Sequence, residues 1–144
     1  MDYLKRSWVE IDLRAMLSNL DAVKRMHPDT IVMAVVKADA YGHGAKVVAP
    51  FLEKNGVNWF AVSNVDEAME LRYAGITSPV LVLGHTPVEY AKILAKNNIS
   101  QTVMSKEYAQ QLSDAARAGD FSLNIHVKLD TGMNRIGFVC REGL

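Results

Sequence analysis

The feature that most constrains this chain is a rhythm. Short runs rich in β-branched and aromatic residues fall at 31–36, 58–62, 79–83, 99–104 and 121–129, about 20 to 27 residues apart. Runs this short and apolar match strands buried on both faces, which are parallel strands. Parallel neighbours need a crossover of a dozen or more residues, and the intervals carry helix signals. Leu13, Met16, Leu17, Leu20 and Val23 make an apolar stripe behind Asp12, a candidate N-cap, and His27-Pro28 stops it. Asp66 and Glu67 put negative charge where a helix N-terminus favours it, and Gly75 closes that segment. Thr86-Pro87 reads as an N-cap followed by the first helical residue, with Asn97-Asn98 at the far end. Ser105 is placed to cap a helix ending at Gly119. A helix is also expected over 45–54, with Pro50 in or near its first turn.

Strand then helix, repeated, predicts an α/β fold with a parallel sheet covered by helices. A doubly wound sheet and a β/α barrel share that rhythm. No G-x-G-x-x-G follows the first run, which weakens the dinucleotide-binding version. The reading adopted is a partial β/α (TIM-type) barrel of about five parallel strands with intervening helices. A complete barrel takes eight strands and about 250 residues. This chain has 144, so residues 1–144 are expected to be part of a larger protein. One element stands outside the rhythm. SWVEIDL, residues 7–13, alternates like a half-buried strand and is expected to lie outside the barrel sheet.

Composition narrows the partners. Hydrophobic residues make up 49%, and 16 Lys+Arg balance 16 Asp+Glu. The basic excess that a nucleic-acid partner usually needs is missing. Cys140 is the single cysteine, so no intrachain disulfide is expected, in keeping with a reducing compartment. The N-terminus is charged throughout, with no long apolar stretch. Neither a signal peptide nor a membrane span is expected, and the cytoplasm is the default location.

Two segments carry chemistry. Residues 34–44 read AVVKADAYGHG: an apolar run ends abruptly in Lys37, and a loop follows. Taking an amine out of water disfavours its charged form, and a neutral amine is what a Schiff-base lysine needs. The carboxyl ends of strands also form the active-site face of barrels and open α/β sheets. The plainer reading is a lysine that snorkels to water. The loop shifts the balance: Gly42 and Gly44 bracket His43, allowing a tight turn or close approach to a ligand, and Tyr41 brings a phenol four residues on.

Residues 126–137 read HVKLDTGMNRIG, after a strictly alternating stretch. Phe121, Leu123, Ile125, Val127 and Leu129 fall on one face, and Ser122, Asn124, His126, Lys128 and Asp130 on the other. In a barrel the apolar set would pack under helices and the polar set would point inward. His126, Lys128 and Asp130 would then climb toward the rim carrying Lys37. Arg135 follows on the exit loop, with a fork of donors suited to a carboxylate or phenolate oxygen. The plainer alternative is an edge strand with one wet face. A metal site at His126 and Asp130 is the weaker reading, because no further ligand cluster accompanies them; no metal is expected. His27 and His85 beside their prolines are explained by turns.

Together these segments resemble the alanine racemase family. Val36–Gly44 matches its V-K-A-[DN]-A-Y-G-H-G pattern, and His126–Gly137 matches H-x-K-x-D-T-G-M-x-R-x-G. WVEIDL near the start and GITSPVLVLG at 75–84 are similar to it too, so the resemblance spans nearly the whole chain. It implies a racemase interconverting L- and D-alanine, which supplies D-alanine for peptidoglycan, with pyridoxal 5'-phosphate as cofactor. By resemblance, Lys37 forms the Schiff base and acts as acid or base on one face of the substrate Cα. Tyr41 bonds the cofactor phosphate. Arg135 bonds the phenolic oxygen and the substrate carboxylate, and Lys128 matches a position that some members carry as a carbamate. The family's opposing base is a tyrosine from a C-terminal β domain of the other subunit in a homodimer. That domain and the later barrel strands are not in this sequence, so the chain alone is expected to be inactive. The alternatives are a racemase for serine or another small amino acid, and a non-catalytic barrel that binds the cofactor.

Overall fold

A computed structural model describes residues 7–139. Cys140 and the charged residues 1–6 lie outside them. The chain separates into two compact units, one ending at Thr30 and one beginning at Ile31.

In the first unit, helix α1 (Leu13–Met26) starts where Asp12 accepts hydrogen bonds from the amides of Arg14 and Ala15. Lys24 and Arg25 complement the negative end of its dipole, and His27 closes it. The expected N-terminal strand does not form: residues 7–12 are irregular and mostly exposed. Alternation gives a segment two unlike faces, but a strand also needs a ladder partner, and Trp8 instead donates to the Glu10 carboxylate beside it.

The second unit is the repeating α/β body. Its strands are β1 (Met33–Val35), β2 (Trp59–Val62), β3 (Val80–Val82), β4 (Ile99–Val103) and β5 (Ile125–Val127). They pair in parallel in the order β1-β2-β3-β4-β5. Chain order and spatial order coincide, with no switch point. That is the winding of a barrel rather than of a doubly wound sheet, and the arc is not closed.

Register sorts the side chains. Phe60, Val80 and Ile99 line up on one face, followed by Val62, Val82 and Gln101; all are buried. Helices cover this face: α3 (Ala45–Lys54), α4 (Val65–Tyr73), α5 (Ala91–Lys96) and α6 (Lys106–Gly119). The opposite face carries Met33, Trp59, Val35, Ala61, Leu81, Ser100, Thr102 and His126. The Trp59 and His126 rings meet at 5.4 Å, which only a strongly curled sheet permits.

Several expectations are corrected. Pro50 lies inside α3, beyond its first turn. The buried face of Ala45, Val48, Ala49 and Leu52 outweighs the missing N–H. Thr86 does not cap a helix. Val88–Tyr90 form a 3-10 turn ahead of α5, and the Thr86 carbonyl instead accepts from the buried Tyr108 hydroxyl at 2.6 Å. The long run 121–129 is shorter as a strand. After β5, β6 (Leu129–Asp130) leaves the main sheet and pairs in parallel with β7 (Phe138–Val139). The outer residues Ile125, Val127 and Leu129 are about half exposed, because no described helix follows β5 to cover them.

Candidate active site

Immediately after β1 the chain does something that its local sequence does not call for. Lys37–Tyr41, here α2, forms a single helical turn of the wrong hand: Ala38, Asp39, Ala40 and Tyr41 have φ of 50, 54, 53 and 56°. Each such L-residue costs roughly 1–2 kcal/mol, so the surroundings must hold the turn. The Asp39 carboxylate accepts from the amide of Ala45 at 2.7 Å, at the start of α3. The His43 ring bonds the Ala40 carbonyl at 2.8 Å through Nδ1, and Ala40 is buried. Gly42 and Gly44, at φ 84 and 87°, carry the chain out of the turn.

A further support comes from a residue read in the sequence only as a helix-end charge. Glu67, in the first turn of α4, accepts from the amide of Ala38 at 3.0 Å and from that of Ser63 at 2.7 Å. The sequence signal, the acidic pair Asp66 and Glu67 at a helix start, located the helix but neither its Asn64 cap nor this reach.

Lys37 is half-buried, and Tyr41 is exposed. The Lys37 Nζ lies 5.9 Å from the centroid of the Tyr41 ring, so these two sequence candidates stand together. Arg135 arrives from the far edge. β5 is parallel to β1, so the loop after β6 leaves by the carboxyl ends that also carry Lys37. That loop is built on Asp130, whose carboxylate accepts from the amides of Gly132 (3.0 Å), Asn134 (3.0 Å) and Arg135 (3.1 Å). Bonds from Gly132 and Asn134 chiefly, helped by weaker ones from Arg135 and Met133, hold the Asp130 carboxyl below its ordinary range against the opposing effect of burial. The Arg135 side chain is exposed.

Lys128 is half-buried between β5 and β6, where its amide bonds the Val103 carbonyl. The inner face beneath it is polar: Thr102 is 3% exposed, and its hydroxyl has no hydrogen-bond partner among the described residues. Among the described residues, no group of three or more His, Cys, Asp and Glu side chains could hold a metal ion. The donors available are an amine, a phenol and a guanidinium, a set suited to an anionic, carbonyl-bearing organic molecule rather than a cation.

A groove of about 660 Å³ lies elsewhere, lined by residues of α6 and the β5 approach including Leu112, Ala116, Phe121, Leu123 and Ile125. Its lining includes the uncovered outer face of β5 and none of the candidate residues. No described helix is long and apolar enough to cross a membrane.

Comparison with known proteins agrees with this fold. The model of the alanine racemase N-terminal domain matches residues 11–143. Alanine racemase 1 of Clostridium acetobutylicum is 46% identical over 140 residues, 97% of this chain and 36% of that protein. The chain thus spans little more than a third of this relative. Among solved structures, the alanine racemase of Clostridium difficile 630 superposes with a TM-score of 0.87 at 43% identity, covering 96% of this chain and 37% of that one. A histidine racemase from Leuconostoc mesenteroides superposes with a TM-score of 0.82 at 33% identity, covering 88% and 34%.

Proposed function

The chain belongs to the alanine racemase family through its N-terminal domain, and on that premise we propose that it carries the cofactor-bearing half of an amino-acid racemase site. The observation that carries this reading is the half-buried Lys37 amine, beside Tyr41, at the carboxyl end of β1.

The residues fit pyridoxal 5'-phosphate. The Lys37 amine is the group that attaches it, the Tyr41 hydroxyl would bond its phosphate, and the Arg135 guanidinium suits its phenolic oxygen. When bound, this cofactor supplies an electron sink for a carbanion at the substrate Cα. Lys37 holds or moves the proton at one face of that Cα. Arg135 also orients the substrate carboxylate through its fork of donors. Lys128 is the candidate carbamate; as an anion it would pair with Arg135, whereas the free amine would repel it.

Alanine is the proposed substrate, and the product role is supply of D-alanine for peptidoglycan in the cytoplasm. The likeness to a histidine racemase supports a second reading, in which this framework serves another amino acid, serine included. Racemisation needs an acid/base group on each face of Cα, and Lys37 serves one. The opposing group is proposed to come from a partner subunit in a homodimer of the longer protein, so the 144-residue chain alone does not racemise.

The test is direct. Borohydride treatment of protein loaded with pyridoxal phosphate should fix the label on Lys37 and nowhere else, and Lys37→Ala should take none. Label on another lysine overturns the assignment. Assays of the longer protein with L-alanine, L-serine and L-histidine decide the substrate, and D-alanine formed by the 144-residue chain alone refutes its inactivity.

A further inference from the structure

We propose that Glu67 is a positioning residue for Lys37, its carboxylate fixing the peptide on which the amine is carried. The inference rests on the role of Lys37 given above. One oxygen, Oε1, accepts from the Ala38 amide at 3.0 Å, and the other, Oε2, from the Ser63 amide at 2.7 Å. The Ala38 N–H belongs to the Lys37–Ala38 peptide. Pinning that plane fixes ψ of Lys37 and with it the direction in which the side chain leaves the backbone.

Ser63 directly follows β2, the strand that pairs with β1. The carboxylate therefore ties two neighbouring strand ends together at the rim, from a helix on the outer layer. Glu67 is itself anchored: its amide donates to the Asn64 cap at 2.9 Å, and the first turn of α4 favours its negative charge.

The need for such a clamp follows from the backbone. Ala38 is the first of four consecutive non-glycine residues with positive φ. A right-handed alternative is cheaper at each of them, so without a restraint at Ala38 the segment can relax and carry Lys37 with it. A residue serving only the start of its own helix would not need an oxygen on the Ala38 amide, 29 residues away in sequence. Charge-assisted bonds of this kind are also the stronger ones.

The experiment compares Glu67→Gln and Glu67→Ala with the parent in the longest natural chain that contains these residues. Two readouts are taken: hydrogen exchange of the Ala38 and Ser63 amides, and the pH midpoint of the visible absorbance of bound pyridoxal phosphate. Exchange at both amides should rise about tenfold or more in Glu67→Ala, while the Phe60 amide in the adjacent ladder stays protected. The absorbance midpoint should move in the same variant. Glu67→Gln, which keeps one acceptor oxygen, should fall between and serves if the alanine variant does not fold. Lower thermal stability with parent-like exchange at Ala38 and an unmoved midpoint overturns the proposal. A parent protein that takes up no pyridoxal phosphate overturns the reading of Lys37 instead, and exchange at Ala38 alone then decides whether Glu67 fixes that peptide.

Discussion

Trp59 and His126 meet with ring centroids 5.4 Å apart and planes at 65°, although β3 and β4 lie between their strands. In a flat sheet, three strand spacings would put them roughly 14 Å apart. The contact is therefore a direct measure of curl, and it places His126 on the inside of the arc. It also bears on the candidate site, because Lys128 and Asp130 follow His126 at a period of two toward the rim. An edge-to-face pair of this geometry is worth about 0.5–1.5 kcal/mol beyond area burial. A double-mutant cycle of Trp59→Ala and His126→Ala, read by denaturant unfolding, should return a coupling of that size. Strictly additive losses would mean that the two rings do not hold the arc.

At the opposite end of the strands, Arg72 gathers four backbone carbonyls: Ile76, Ser78, Asn97 and Asn98, all within 2.9 Å. It joins the end of α4 to the approaches of β3 and β4. Burial lowers the Arg72 pKa, opposed by the nearby Glu53 charge, yet a guanidinium stays protonated. Arg72→Lys keeps the charge but cannot span four acceptors, and a loss of about 3 kcal/mol is expected. A Lys variant with an unchanged unfolding midpoint would show that the fork geometry is dispensable.

Glu53 works beside it, accepting from the amides of Thr77 and Ser78 at 3.0 and 2.7 Å. Burial pushes its carboxyl up, but the bonds from Ser78 and Thr77 outweigh that and leave it below the usual value of 4.5. A carboxyl depressed in the folded state adds stability that is complete above its unfolded pKa. That stability is lost as pH falls through the folded value. Glu53→Gln should therefore lower stability near neutral pH and flatten the acid limb of the stability profile. A variant with the same acid slope as the parent would remove Glu53 from the account.

Tyr108 offers the same logic at high pH. It is 4% exposed, and its hydroxyl donates to the Thr86 carbonyl and accepts from the Thr86 amide at 3.3 Å. Burial raises its pKa above 10.0, against the lowering effect of the Thr86 bond. The phenol is thus kept neutral, and its stabilisation fades as pH climbs past the ordinary tyrosine range. Tyr108→Phe orphans both groups of Thr86 and should cost about 1–3 kcal/mol at neutral pH. Loss of the alkaline limb in the variant checks the assignment.

The frame was legible because buried parallel strands and capped helices leave strong local marks. The Ser105 cap and the end at Gly119 stand where the pattern put them. What escaped was whatever depends on partners distant in sequence. Ala38, Ala40 and Tyr41 have no preference for a left-handed turn, so nothing local announces it. It exists because Asp39 and His43 bond within the loop, to Ala45 and Ala40, and because Glu67 reaches the Ala38 amide from 29 residues away. Thr86-Pro87 carries a good capping signal, yet Tyr108, 22 residues away, takes the Thr86 backbone. At the site, the motif put Lys37 and Tyr41 together, and the structure keeps them so. Glu67 could not be separated in the sequence from an ordinary acidic first turn.

The Arg135 loop gives a last test, because one carboxylate organises it. Asp130 gathers the amides of Gly132, Asn134 and Arg135, and those bonds hold its carboxyl below the ordinary range. The loop's order is thus expected to be complete above the unfolded carboxyl pKa and to decay as pH falls through the depressed folded value. Asp130→Asn keeps one acceptor oxygen but turns an NH₂ toward amides that are themselves donors. Hydrogen exchange at Gly132, Asn134 and Arg135 should accelerate together in that variant, with the β4–β5 ladder unchanged. Retention of pyridoxal phosphate should weaken as Arg135 loses its fixed approach. Rapid exchange at these amides in the parent at neutral pH would mean that the carboxylate does not hold the loop, and Arg135 would then have to be placed by something else.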